Sequence, residues 1–134
     1  MSTPLVPFHN ALYTTLDAIS GLTAYSFVPD APSFPYVYIE RKQCRPQDTN
    51  RTRVRYAIRN KLIVVTNDKD INALAGWVDE IEDALSGGLT LVGTWATRIY
   101  RTVPDSDIFP ITNFDGSQGH AAEVFHDFII ESTS

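Results

Sequence analysis

Several features are scarce or absent in this sequence of 134 residues, and each absence narrows the functional classes open to it. The single cysteine, Cys44, excludes an internal disulfide and makes a reducing compartment the simplest expectation. No apolar run approaches the roughly 18 residues that a membrane-spanning helix requires. Residues 1–5 lack the basic region and apolar core of a signal peptide, so we expect no secretion leader. We therefore expect one globular domain over residues 1–134, without a membrane partner.

The residue patterns of common catalytic and cofactor sites are also missing. No glycine-rich loop joins a strand to a helix in a phosphate-binding pattern. His9, His120 and His126 lack metal-ligand spacing with one another or with Cys44. His126 falls on the apolar parity of the last strand, which favours a hydrogen-bonded core residue. Arg45 can lower the pKa of Cys44 in a polar bend, but no matching base is evident. We expect no cofactor, no metal and no enzymatic activity.

Charge, by contrast, is present and unevenly distributed. The net charge is -5, yet eight of the eleven Lys and Arg residues lie between Arg41 and Lys61. The segment 68–83 holds six acidic residues against Lys69 alone. Opposite patches on one subunit suit head-to-tail self-association, although two solvated faces are the plainer alternative.

The basic residues follow a strand-like alternation within segment 53–65. Side chains alternate across a strand, so residues of one parity share a face. One parity is apolar and comprises Val54, Tyr56, Ile58, Leu62 and Val64, and the other is basic and comprises Arg53, Arg55, Arg59 and Lys61. The pattern predicts a strand with a core face and a cationic face, preceded by an aromatic strand at 36–42.

The remaining periodicities predict two helices and further strands. Apolar residues at three- and four-residue steps indicate a helix from Leu5 to about Ser20, and a second helix capped by Asn67 or Asp68 and ending at Leu85. Strands are predicted near 24–28, 89–102 and 122–130. The fold class is therefore α+β, a single mainly antiparallel sheet packed by two helices in the order α-β-β-β-α-β-β. Long flexible loops are expected near 43–52 and 103–119, where Pro, Gly, Asn and Asp are frequent.

Certain segments also occur in a recognisable order. A short helix containing 11–16 precedes a loop into Phe34–Ile39, and a long strand precedes a helix ending at Leu85–Gly88. The chain continues with Leu89–Val92 and closes with Val124–Ile130. In this order and in element length, nearly the whole chain resembles the tail terminator, or tail completion, proteins of long-tailed bacteriophages.

The resemblance implies an α+β fold, a homo-hexameric ring and no enzymatic activity. Such a ring caps the tail tube, ends its elongation and joins the tail to the head connector. It implies three partners: other copies of the chain, the tail tube protein and the connector or neck protein. DNA would pass through the lumen only as cargo, and the protein would lie at the head–tail interface of the virion after assembly in the host cytoplasm. No functional residue is carried over from the family.

The charge pattern supplies the candidate site residues. These residues are expected to face another subunit, the lumen or a partner protein: Arg53, Arg55, Arg59, Lys61, Asp79, Glu80 and Asp83. Three alternatives stay open. The first is another neck or minor tail component, and the second is a small nucleic-acid-binding module that uses the basic strand 53–61. The third is a small-ligand or enzymatic domain with its site under the 103–119 loop.

Overall fold

The fold is α+β, with two helices packed on one face of a single sheet. The computed structural model describes residues 3–47, 54–91 and 93–132, and for Arg41 and residues 98–106 it describes the backbone alone. The elements are α1 (Leu5–Asp17), β1 (Thr23–Tyr25), β2 (Tyr36–Pro46), β3 (Arg55–Val65), α2 (Ile71–Leu85), β4 (Trp95–Thr112) and β5 (Gln118–Ser132). This confirms the predicted fold class and element order.

The five strands lie in the order β1-β2-β3-β5-β4. β1 pairs with β2 in parallel, and every other pairing is antiparallel. β3 is therefore the central strand, and β1 and β4 form the two edges. The basic segment noted above lies in the middle of the sheet rather than at a border.

The main core fills the space between the sheet and the helices. Ile58, Leu62 and Val64 of β3 are buried there, as the predicted parity requires. Phe8 of α1 packs edge-on against Phe128 of β5, with ring centroids 5.0 Å apart. Burial of these apolar side chains, at about 25 cal/mol per Å² removed from water, holds the helices on the sheet.

α2 begins later than the sequence predicted, because a different aspartate caps it. Asp70, not Asn67 or Asp68, takes the N-cap position, and its carboxylate accepts a hydrogen bond of 2.9 Å from the amide of Asn72. Asp68 supports the cap from outside the helix, accepting a hydrogen bond of 2.8 Å from the Asp70 amide. The helix buries Leu74, Ile81 and Leu85.

The predicted long loop at 103–119 is wrong. β4 continues to Thr112 and β5 begins at Gln118, so this segment is largely a β-hairpin. Its turn is closed by hydrogen bonds from Asn113 N to Ser117 O (2.9 Å) and from Gly116 N to Asn113 O (3.0 Å). The two prolines of the segment misled the interpretation, because β4 is an edge strand, where a proline can be tolerated.

Other predicted boundaries also shift. The strand predicted from Leu89 begins at Trp95, although Leu89 itself is buried in the main core. Of the predicted 43–52 loop, 43–46 belong to β2, while 48–52 lie outside the described residues.

Candidate interaction surface

The predicted basic residues lie on the sheet face that carries no helix, which we term the open face. Arg55, Arg59 and Lys61 alternate with the buried core residues of β3 and so point to the opposite side. Arg53, the fourth predicted residue, lies outside the described residues.

These three cations are paired within the subunit. Arg59 donates two hydrogen bonds to Asp127 of β5, from Nε to Oδ1 at 2.8 Å and from Nη2 to Oδ2 at 3.0 Å. Lys61 Nζ lies 3.2 Å from Glu40 Oε2 and 3.4 Å from Glu123 Oε1. The hydrogen bond to Asp127 raises the pKa of Arg59, and that to Glu40 raises the pKa of Lys61. The residues predicted to form a cationic face are therefore paired with carboxylates on β3's neighbouring strands, and we term this set of ion pairs the charge-paired ladder.

The third pair differs in the burial of its carboxylate. Arg55 Nε lies 3.5 Å from Glu131 Oε1, and Glu131 is only 3% exposed. Polar groups so far from water are stabilised by polar partners. This pair is therefore more a structural element than a free docking point.

The acidic members of this ladder escaped the sequence interpretation. Glu123, Asp127 and Glu131 occupy the parity of β5 opposite to that of its main-core residues, and β3 pairs with β5 so that Arg59 faces Asp127. The signal was the same alternation that identified the basic strand.

A groove of about 620 Å³ follows the open face across β2, β3 and β5. Arg45, Arg55 and Arg59 line it together with Asp127. Arg45 is exposed. A groove lined by charges of both signs suits a polar protein surface better than a polyanion.

The acidic residues of α2 lie on the other side of the molecule. Asp79, Glu80 and Asp83 are exposed, while α2 turns its apolar stripe toward the sheet. The fold therefore separates the basic strand from these acidic residues by the thickness of the sheet and helix layers. Contact between the two sets would require two copies of the chain.

An aromatic cluster covers one end of the open face. Tyr36 packs against Tyr25 and Tyr38, with ring centroids 5.7 and 6.2 Å apart, and Phe34 stacks on Phe114 of the hairpin turn at 5.8 Å. These rings surround a second buried cluster of Ile63, Val65 and Ala121. Burial raises the pKa of Tyr36, with smaller contributions from Tyr38 and Tyr25. The cluster ties the hairpin turn to the sheet.

Polar groups are also buried on the helix side of the sheet. His126 is fully buried, and its Nε2 lies 2.7 Å from Glu82 Oε1 of α2, which confirms the predicted hydrogen-bonded core histidine. Burial lowers the pKa of His126, and the hydrogen bond to Glu82 opposes that shift. Asn60, its neighbour on β3, is also fully buried. This arrangement joins α2 to β5 rather than opening toward a ligand.

A second histidine forms a chain of contacts that resembles a catalytic triad only in outline. His9 Nε2 lies 2.9 Å from Ser26 Oγ, and its Nδ1 lies 2.7 Å from Lys42 Nζ. A lysine ammonium can only donate, so Nδ1 must accept and Nε2 carries the proton. His9 therefore donates to Ser26 and does not take its proton. This geometry does not activate the serine as a nucleophile.

Cys44 does not lie in the polar bend that the sequence predicted. It lies within β2 rather than in a bend, and it packs against the main core. Burial raises the pKa of its thiol, the opposite of the effect expected from Arg45.

Within residues 3–47, 54–91 and 93–132, no group of His, Cys, Asp and Glu could hold a metal ion. In the same part of the chain, no helix is long and apolar enough to cross a membrane.

Comparison with known proteins shows that this chain is similar in fold to a solved structure. No protein-family model matches the chain, and no curated protein matches it. Among solved structures, it is similar to a chain of the "Virion of native gene transfer agent (GTA) particle", with a TM-score of 0.74 and 15% identity. The match covers 97% of this chain and 99% of that one. At this identity the likeness establishes a shared fold.

Proposed function

We propose that this chain is a structural virion protein of a tailed bacteriophage, and specifically the ring-forming tail terminator. The observation that carries the proposal is the fold likeness to a chain of a phage-like virion particle, which spans nearly the full length of both chains. The sequence resemblance to tail terminators points independently in the same direction.

In this role the protein supports assembly and catalyses no reaction. Copies form a hexameric ring on the last ring of tail tube protein, stop tube growth and offer a surface to the head connector. Groups that could have suggested chemistry have structural partners instead, as Ser26, His9 and Lys42 illustrate. DNA passes through the lumen as cargo.

The surfaces of the subunit suit such a role. The open face carries a charge-paired groove, and α2 carries exposed acids on the far side of the molecule. Surfaces of different character on opposite sides suit an assembly protein that contacts more than one neighbour. The predicted residues Arg55, Arg59, Lys61, Asp79, Glu80 and Asp83 belong to these two surfaces.

Inactivation of the gene in the phage genome that carries it tests this role. We expect DNA-filled heads without joined tails, together with tail tubes of irregular and excessive length, by electron microscopy. A copy supplied in trans should restore joined tails of uniform length. Joined tails of normal length in the absence of the protein would contradict the proposal.

A second candidate is another neck or minor tail component, since the same fold likeness to a virion chain supports it. The same experiment separates the two roles. Tails of uniform length that fail to join heads would favour the neck component, because length control would then be intact.

A further inference from the structure

Large apolar side chains are exposed on both edges of the sheet. On the β4 side, Ile108 is 42% exposed and Phe109 39% exposed. On the β1 side, Phe27 is 85% exposed just after that strand, and Val6 is 71% exposed on α1, which packs against β1 and β2. Exposed apolar residues collected at an edge mark an interaction site more strongly than scattered ones.

Both edges also offer backbone groups for strand pairing. β4 runs for 18 residues and is the terminal strand on its side, and β1 is the terminal strand on the other. The unpaired amide and carbonyl groups of an edge strand are a template for another strand unless a protein blocks them. Each subunit therefore presents two different edges that can accept a strand.

β1 and the Asp107–Phe109 part of β4 lie level with each other at opposite edges of the sheet. Rows of paired residues cross the whole sheet from β1 to β4. One row comprises Tyr25, Tyr38, Ile63, Glu123 and Asp107, and the next but one comprises Thr23, Tyr36, Val65, Ala121 and Phe109. Phe109 thus ends the row that Thr23 begins, and Asp107 ends the row that Tyr25 begins. Phe27, two residues after Tyr25, lies past the Asp107 row, on the side away from Phe109. If a neighbouring copy lies beside the first without a shift along the strand direction, these two parts meet.

The strand directions also fit. β4 runs parallel to β3, whereas β1 runs parallel to β2 and so antiparallel to β3. β4 of one copy would meet β1 of the next as an antiparallel pair, the more stable of the two arrangements.

We propose that copies of this chain associate side by side, with the Asp107–Phe109 part of β4 in one copy against β1 of the next, and Phe27 just past the Asp107 end of that contact. The inference rests on the proposed function and adds to it the edges that meet. The occupant is a second copy because the chain carries both surfaces. The contact is heterologous, so every copy uses one of each edge and the assembly can close.

Cysteine cross-linking tests the two edges directly. In a Cys44→Ser background, a variant with both Thr23→Cys and Phe109→Cys, which the proposed contact places opposite each other, is treated with a short bis-maleimide at increasing protein concentration. We expect a ladder of covalent oligomers. Neither single variant should cross-link by itself, whereas an equal mixture of the two should give dimers only. The matched control combines Thr23→Cys with Ile71→Cys, since Ile71 is 48% exposed but lies on α2.

Three results would overturn the inference. One is a dimer from Phe109→Cys alone, which would indicate a two-fold contact between identical edges. Another is a double variant that oligomerises in sedimentation without cross-linking. The third is a chain that stays monomeric at every concentration. The gene-inactivation phenotype is independent of these outcomes, so overlong, unjoined tails would leave the proposed function standing even if the edge assignment failed.

A substitution series gives a second readout. Phe109→Asp should raise the protein concentration needed for half association by at least about tenfold, because a buried aromatic residue is a common interface hot spot. Phe114→Asp, in the hairpin turn and off the edge, should change it much less. Equal effects of the two variants would contradict the proposed contact. Circular dichroism checks that both variants remain folded.

Discussion

At the scale of single residues, the contribution of each cation of the basic strand to stability depends on how deeply its partner carboxylate is buried. Arg55 and Arg59 share one strand face and each meets a carboxylate on β5, but Glu131 is buried and Asp127 is more exposed. An exposed ion pair stabilises a fold little, whereas removing one partner of a buried pair leaves a charge without compensation. Two arginines that look equivalent in the sequence should therefore contribute differently to the stability of the fold.

This difference is measurable by matched substitutions. Arg55→Met should lower the free energy of unfolding by about 1–3 kcal/mol, because the buried Glu131 loses a partner. Arg59→Met should change it far less. Urea denaturation measures both, and double variants with Glu131→Gln or Asp127→Asn isolate each pair. A larger loss for Arg59→Met than for Arg55→Met would contradict this ranking.

His126 makes stability depend on pH. Burial lowers its pKa below the ordinary 6.5, so the unfolded chain binds its proton more readily than the folded one. This contribution is complete above pH 6.5 and is lost as the pH falls below that value. The free energy of unfolding should therefore decrease less for His126→Gln than for the wild type between pH 7 and about pH 5. His9 titrates in both proteins, so its effect cancels when the two are compared. Parallel curves of unfolding free energy against pH for the wild type and His126→Gln would refute the assignment to His126.

At the scale of elements, the β4–β5 hairpin is held by the segment that follows β3. A methyl group added at Gly119 would lie 1.9 Å from the carbonyl oxygen of Thr66. Thr66 also exchanges hydrogen bonds with His120, and Asn113 Nδ2 donates to the Thr66 carbonyl at 3.1 Å. These contacts attach the hairpin turn to the start of the segment that connects β3 to α2.

Gly119→Ala should therefore destabilise the protein by about 1–3 kcal/mol, since backbone must move to make room. Gly76→Ala is the control, because no atom lies within 4 Å of the added carbon in α2. The control should stabilise the protein by about 0.5–1 kcal/mol through better helix propensity. Thermal unfolding of both variants checks the two signs, and a neutral Gly119→Ala would show that the close contact is absent.

Hydrogen exchange tests the hairpin itself. Amides of residues 107–112 and 118–122 that bond across the β4–β5 pair should exchange slowly in the free protein. Rapid exchange throughout both segments would favour the flexible loop that the sequence pattern had suggested.

At the scale of the whole molecule, the paired ladder argues against nucleic-acid binding by the isolated subunit. Binding to duplex DNA depends on cations that replace counterions along the phosphates. Arg59 and Lys61 already meet carboxylates. We expect no binding of the wild type to duplex DNA at low salt in fluorescence anisotropy, and weak, salt-dependent binding after Asp127→Asn with Glu123→Gln. Strong binding by the wild type that Arg59→Met removes would favour the nucleic-acid module.

Some properties of this protein follow from local sequence alone. The alternation in 53–65 and the apolar stripe of α2 determined which residues face the core, because side-chain direction depends only on the local backbone. Those periods, with the element order, were enough for the fold class, and the alternation in 122–130 predicted the burial of His126.

The tertiary structure decided what those residues meet. Arg59 and Asp127 are 68 positions apart, and only the register between β3 and β5 places them face to face. The prolines near Phe109 could signal a loop or an edge strand, and the position of β4 at the end of the sheet decides between them. Pairing partners and sheet edges are non-local, because they depend on which distant strand lies alongside. For that reason the basic strand could be located from the sequence, whereas its neutralised charge and the two exposed edges could not.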